Sequence, residues 1–220
     1  MNLTQEQILN AKNPKLVILG SAHAVPSIGH ENTHMALVGD ERTVLIDTAA
    51  NPVVRLAEAG LELNKVSDLV LTHFHPDHVS GVPLLLMSMW LLGREKELHI
   101  YGLDYTLERI QRLMDFYSWQ NWKGFYPVNF HSVHTGSRFT LLETDSFNIY
   151  AEEVKHLVPV IGLRVEFPDS GKVLAYSCDT EPCPAVLSLA ENADVLIHEA
   201  AGGVPGHTSA AQAGQAAIDS

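Results

Sequence analysis

Six consecutive residues, His73-Phe74-His75-Pro76-Asp77-His78, carry four side chains able to hold a metal ion, directly after an apolar run read as a buried strand over 68–72. A loop leaving the end of a buried strand can turn such side chains inward onto one point. Imidazole and carboxylate donors without cysteine suit zinc or a related first-row metal. A polar loop carrying chance histidines is the alternative, and four donors in six positions weigh strongly against it. The requirement for a strand that delivers its loop to a site constrains the fold more than any other feature of the chain.

The remainder of the chain supplies the framework. Short apolar runs at 16–19, 35–38 and Thr43–Ile46 read as strands, the last as one buried on both faces. Pro52 opens a helical stretch that Gly60 closes, matching the Pro-first, Gly-last asymmetry of helices. A helix is predicted over 79–92, a strand over 98–101, and a helix over 105–116 capped by Asp104. Strands follow at 147–154, 163–167, 173–177 and 195–198, with a Pro-started helix over Pro184–Ala190 and an Ala/Gln-rich helix over 208–218. Strands alternating with helices predict an α/β sandwich in which helices cover sheets.

Length and composition set the remaining bounds. A chain of 220 residues with 46% hydrophobic and 18% charged residues can bury a core as a single domain over 1–220. The 14 basic and 26 acidic residues leave a formal charge of −12, which repels phosphate backbones at long range and disfavours generic nucleic-acid binding. The most apolar stretch, 79–92, is shorter than the roughly 20 residues of a membrane span and is interrupted by Ser80, Gly81, Pro83 and Ser88. The N-terminus shows no basic head before an apolar run, so no secretory signal is read there. The two cysteines, Cys178 and Cys183, read as reduced thiols, and the expected location is cytoplasmic.

The chain resembles the metallo-β-lactamase-fold hydrolases, and within them the ribonuclease Z-like branch. The resemblance rests on LGSAHAVPS at 19–27, Asn32-Thr33, LIDTA with Asp47, THFHPDHVSG, VKHLVPVIGLRVE with His156, YSCDT with Asp179, LIHEA with Glu199, and GHTSA with His207. It implies a four-layer αββα sandwich and a centre of two divalent ions, zinc being expected. His73, His75 and His156 would hold one ion, Asp77 and His78 the second, and Asp179 would bridge both. Asp47 would orient a ligand ring through its free N–H. A hydroxide generated at the metals would attack the substrate, while Asp77, Glu199 and His207 would serve catalysis, the last two through proton transfer to the leaving oxygen.

Several features depart from the family pattern. Members of the family carry one more histidine on a strand after the final helix, so a missing C-terminal strand and an incomplete second site are expected. The arm with which tRNA-processing members grip tRNA often lies between the third histidine and the bridging Asp. Here the segment from His156 to Asp179 has room for one hairpin only, which with the charge disfavours tRNA and favours a small phosphodiester. Diiron members have an acidic residue where His75 stands. Cys178, beside Asp179, is expected to face away from the metals because strand neighbours point to opposite faces.

The aromatic run Phe116, Tyr117, Trp119, Trp122, Phe125, Tyr126 and Phe130 lies between the signature loop and His156. Core packing, a substrate wall and a homodimer interface are its three readings, the last supported by Met87, Met89 and Trp90. His23, His30, His34, His99, His131 and His134 are read as surface or satisfied histidines. A hydrolase of the same fold acting on a lactone, thioester or β-lactam, and a metal-binding but catalytically silent protein, are the alternatives to the phosphodiesterase.

Overall fold

The structure, a computed structural model, describes residues 13–134, 136 and 138–220. The N-terminal segment read above for a secretory signal lies largely outside these residues. Eleven strands are seen among the described residues, arranged in two sheets. The residues divide into two compact units that interleave along the chain.

The first unit takes the chain up to Val70, Pro76–Ile100 and Leu113–Asn129. It holds β1 (Lys15–Gly20), β2 (His34–Val38), β3 (Thr43–Ile46) and β4 (Val66–Val70), together with the starts of β5 (Leu98–Leu103) and β6 (Val128–Val133). These form a six-stranded sheet in the order β1-β2-β3-β4-β5-β6. Strand β3 runs antiparallel to β2 and parallel to β4, and all four of its residues are buried, as its unbroken apolar run predicts. Helix α1 (Pro52–Glu58) starts where the Asn51 side chain accepts the Val54 N–H and Pro52 occupies the first turn. Gly60 leaves it with φ +74°, the left-handed value that glycine reaches without strain.

The single helix predicted over 79–92 is two, α2 (Pro76–Val79) and α3 (Val82–Leu91). The Ser80 N–H still bonds the Pro76 carbonyl, but the Gly81 N–H turns to the carbonyl of Thr48 at 2.8 Å. A Cβ at Gly81 would stand 2.8 Å from that oxygen, so only glycine permits the approach that interrupts the helix. Beyond Phe116 the aromatic run has no α-helix, only a short 3-10 turn over Trp119–Asn121. Trp90 stacks on Trp122 at 5.1 Å, Trp119 and Trp122 meet Phe125 edge-on, and Tyr126 is buried beneath them. Met89 is fully buried and adds no surface, whereas Phe116 and Tyr117 are exposed.

The second unit takes Leu71–His75, Tyr101–Arg112 and Phe130–Ser220. Its five-stranded sheet has the order β11-β10-β9-β8-β7, from β7 (Phe139–Glu143), β8 (Asn148–Val154), β9 (Val160–Phe167), β10 (Lys172–Tyr176) and β11 (Val195–Ile197). The β10–β11 pair is parallel and the others antiparallel. Ile149, Ala151, Val160, Ile161, Leu163 and Val165 form the buried middle of this sheet. Helix α4 (Asp104–Phe116) runs from this unit into the first, and α5 (Pro184–Ala190) and α6 (Ala210–Asp219) complete the second. Helix α6 opens on a capping box between Ser209 and Gln212. Strands β6 and β7 have no counterpart in the sequence reading, because their half-buried, polar-rich residues lack a clear apolar period. Among the described residues no helix is long and apolar enough to cross a membrane, and both cysteines are free thiols.

Candidate metal centre

The strand predicted over 68–72 ends two residues early, and its last residues deliver the loop. The Leu71 N–H bonds the Tyr101 carbonyl, and the Thr72 carbonyl accepts the Ile161 N–H of β9 at 3.1 Å. That bond stitches the start of the His73 loop onto the second sheet, at the strand that follows the loop carrying His156. His73 Nε2 lies 3.1 Å from His75 Nδ1, and His156 Nε2 lies 3.2 Å from the same atom. The three rings stand nearly perpendicular to one another, at interplanar angles of 79–80°.

Hydrogen-bond partners determine which ring nitrogens can face a cation. The Gly206 carbonyl, 2.6 Å from His156 Nδ1, can only accept, so Nδ1 carries the proton and Nε2 presents its lone pair. On His73 the Thr72 hydroxyl and the Cys178 thiol stand at Nδ1, 3.1 and 3.6 Å away, leaving Nε2 turned to the other rings. When all three nitrogens present lone pairs they repel one another at this separation, and a shared cation relieves that repulsion. The residues present therefore fit a first-row divalent ion, with one ligand atom from each of His73, His75 and His156 within 4.8 Å of the others.

A second group in the same unit joins His156, Asp179 and His207 on the same distance criterion. Asp179 Oδ2 stands 4.0 Å from His156 Nε2. His207 donates from Nδ1 to Glu199 Oε1 at 3.0 Å, and its ring meets that of His156 edge-on at 4.8 Å. Glu199 is itself held: Oε1 accepts the Thr180 N–H at 2.8 Å and Oε2 the Ala201 N–H at 3.0 Å. Thr208, fully buried, donates to the Thr180 carbonyl at 2.6 Å and pins the loop that carries His207. His207 thus stands among candidate ligands, with Glu199 behind it as the acceptor that sets its tautomer.

In the first unit His78 Nδ1 lies 2.7 Å from Asp47 Oδ2, both side chains almost wholly buried, and Asp77 Oδ2 lies 3.7 Å from His78 Nε2. Asp47 has φ +58°, a left-handed conformation tolerated by Asp and locked by its N–H bond to the Val70 carbonyl.

Two expectations require correction. Cys178 does not face away from the cluster: it lies past the end of β10, with φ +53°, and its thiol reaches His73. The left-handed residue cancels the alternation that a continuing strand would impose. His34 is neither on the surface nor fully satisfied. Its Nδ1 bonds the Asn32 carbonyl at 2.8 Å, while buried Nε2 meets no hydrogen-bond partner among the described residues. Burial, opposed by that hydrogen bond and by the negative charges of Asp47 and Glu31, lowers the pKa of His34. Sequence reasoning also passed over Glu181, Gly206 and Thr208. The glycine before His207 was visible as a signal, whereas Glu181 carried none beyond its place two residues after Asp179.

A family model described as "Beta-lactamase superfamily domain" matches residues 42–219. Ribonuclease Z of Methanothermobacter thermautotrophicus is 28% identical over 84% of this chain and 73% of its own, and that of Thermococcus kodakarensis 27% identical over 84% and 72%. Among solved structures, human tRNase Z, short form, aligns with TM-score 0.78 and 21% identity over 93% of this chain and 87% of its own. The metallo-β-lactamase-fold protein YhfI from Bacillus subtilis aligns with TM-score 0.77 and 22% identity over 94% and 81%. A diphosphatase of the PhnP family aligns with TM-score 0.71 and 19% identity over 92% and 81%. The fold is that of these metallo-β-lactamase-fold structures, and with the family model spanning most of its length the chain belongs to the β-lactamase superfamily.

Proposed function

We propose that this protein is a metal-dependent hydrolase that cleaves phosphodiester bonds. The observation that carries the reading is the convergence of His73, His75 and His156 ring nitrogens, with the Gly206 carbonyl selecting the His156 tautomer. Divalent ions, zinc by preference of the donor set, would supply Lewis acidity and lower the pKa of water to about 7 when bound. His73, His75 and His156 are proposed for one ion, Asp77 and His78 for a second, with Asp179 shared. Asp47 is proposed to hold the His78 ring in its ligating tautomer.

The chain's own groups then perform the remaining work. Glu199 keeps the Nδ1 proton on His207, so that His207 Nε2 faces the reacting centre beside Asp179 and His156. In the phosphodiester reading, charge builds on the leaving oxygen as its bond to phosphorus breaks, and His207 in its imidazolium form, its charge offset by Glu199, would give its Nε2 proton to that oxygen and return to the neutral Nδ1–H form. The ribonuclease Z relatives favour phosphodiester chemistry over lactone, thioester or β-lactam hydrolysis. They also weigh against the expectation that tRNA is disfavoured. What supports a small substrate is the segment from His156 to Asp179, which folds as β9, a four-residue turn at 168–171 and β10, together with the charge of −12. A homodimer and a cytoplasmic location belong to the same proposal.

The test measures metal content, turnover of bis-p-nitrophenyl phosphate and of a short RNA, and hydrolysis of a lactone. Zinc-dependent cleavage of the small diester above that of RNA supports the full reading. Preferential RNA cleavage overturns the small-substrate choice, lactone hydrolysis without diester cleavage overturns the phosphodiester choice, and bound metal without any turnover identifies a silent protein.

A further inference from the structure

Gly206 is gripped at both ends by residues from two other segments of the second unit. Its carbonyl takes the His156 Nδ1 proton at 2.6 Å, and its N–H is donated to Glu181 Oε1 at 2.9 Å. The other carboxylate oxygen, Oε2, pairs with Lys155 Nζ at 2.6 Å. The backbones beneath are joined as well, since the Glu181 N–H bonds the Lys155 carbonyl at 2.7 Å and the Lys155 N–H bonds Thr180 Oγ1 at 3.1 Å. Glu181, Lys155, His156 and Gly206 therefore form a closed ring of contacts immediately behind the candidate ligands.

The geometry leaves little freedom in how Gly206 meets His156. Its φ of +86° belongs to the left-handed side, and a Cβ there would stand 2.8 Å from Leu157 Cγ and 3.0 Å from His156 Nδ1. Only glycine brings the carbonyl this close. Glycine is also the residue that most readily swings away, because no side chain restricts its φ and ψ. Something must hold it, and the Glu181 carboxylate bonds the one backbone donor that sets its orientation. His207 follows Gly206 directly, so the same clamp fixes where the next side chain begins.

We propose that Glu181 is a positioning residue: by clamping the Gly206 N–H it aims the Gly206 carbonyl at His156 Nδ1 and so fixes His156 as an Nε2 ligand. Lys155 steers the carboxylate but is secondary, because it touches neither Gly206 nor the imidazole in this ring of contacts. The proposal rests on the metal-centre reading for its consequence, although its first link, from Glu181 to the His156 tautomer, stands on hydrogen bonds alone. Partners in this outer layer are worth roughly 10–100-fold in metal affinity in metalloproteins generally.

The experiment uses the full chain with Glu181→Ala, Glu181→Gln and Lys155→Met variants, read in two ways. The first is the His156 ring N–H resonance in a long-range 1H–15N spectrum, assigned by its absence in His156→Gln. The second is zinc affinity measured by competition with a chelator. The wild type is expected to show a slowly exchanging Nδ1–H signal. Glu181→Ala should broaden or lose it and weaken zinc binding about tenfold or more. Glu181→Gln keeps an oxygen that accepts the Gly206 N–H and should stay within about threefold of wild type, as should Lys155→Met. An unchanged signal and affinity in Glu181→Ala overturn the proposal. Equal losses in the Gln and Ala variants overturn it too, by assigning the effect to charge instead of the clamp. Should Glu181→Ala not fold, Glu181→Met, which fills the same space but cannot accept the Gly206 N–H, is read in its place. Absence of zinc binding in the wild type defeats the metal-centre reading, while the resonance still judges the clamp.

Discussion

His78 Nδ1 and Asp47 Oδ2 meet at 2.7 Å with both side chains withdrawn from solvent. A carboxylate behind an imidazole holds the ring at one angle and keeps the proton on the near nitrogen, which frees the far one for a ligand. Replacing Asp47 with Ala removes that acceptor inside the protein. The expected cost is about 1–3 kcal/mol of stability, checked by urea unfolding of the metal-free protein. Metal stoichiometry should fall at the same time, while Asp47→Asn retains part of both.

Metal binding should raise thermal stability, because the converging histidines exist only in the folded chain. At a free zinc concentration of 100 times Kd the linkage amounts to about 2.7 kcal/mol, which for a domain of this size is roughly 5–10 °C in Tm. Differential scanning fluorimetry with and without a chelator measures it. His75→Ala should cut the shift sharply, leaving only what the second ion contributes, since His75 Nδ1 is the atom that both other rings face.

Glu199→Gln tests the leaving-group role. Loss of proton transfer is expected to lower kcat by about 10²-fold or more for an alkyl diester, with KM little changed. The loss should be much smaller for p-nitrophenyl esters, whose leaving group departs readily as an anion. Equal losses on both substrates would instead mean that Glu199 acts only by holding His207.

Stability should also fall in mildly acidic solution because of His34. Burial lowers its pKa below the ordinary 6.5, so the unfolded chain binds a proton that the folded chain refuses. Its contribution is constant above about 6.5, declines as pH falls through that value, and levels off below the folded pKa. Urea midpoints of metal-free wild type and His34→Gln between pH 8 and 5 should diverge in slope, with the wild type losing more on acidification.

The chemistry of the site was legible in the sequence wherever ligands sit close along the chain. The run from His73 to His78 and the alternation of strands with helices follow from residue type and local period, whereas His156, Asp179 and His207 were reached only through the resemblance to a family. Elements with weak periods, such as β6 and β7, were not legible, because their half-buried faces give no clear alternation. Nor was the division of the helix at Gly81, which depends on the Thr48 carbonyl far back in the chain.

Residue type thus determined which side chains can offer donor atoms to a metal, since a histidine or an aspartate carries the same atoms wherever it lies. Tertiary structure alone decided which nitrogen of each ring faces inward. The Gly206 carbonyl and the Glu199 carboxylate choose the tautomers of His156 and His207 from 50 and 8 positions away along the chain. Cys178 turns toward His73 only because its backbone leaves the strand in a left-handed conformation. Proton placement is a property of neighbours in space, and those neighbours exist only once the sheets and their loops have closed around them.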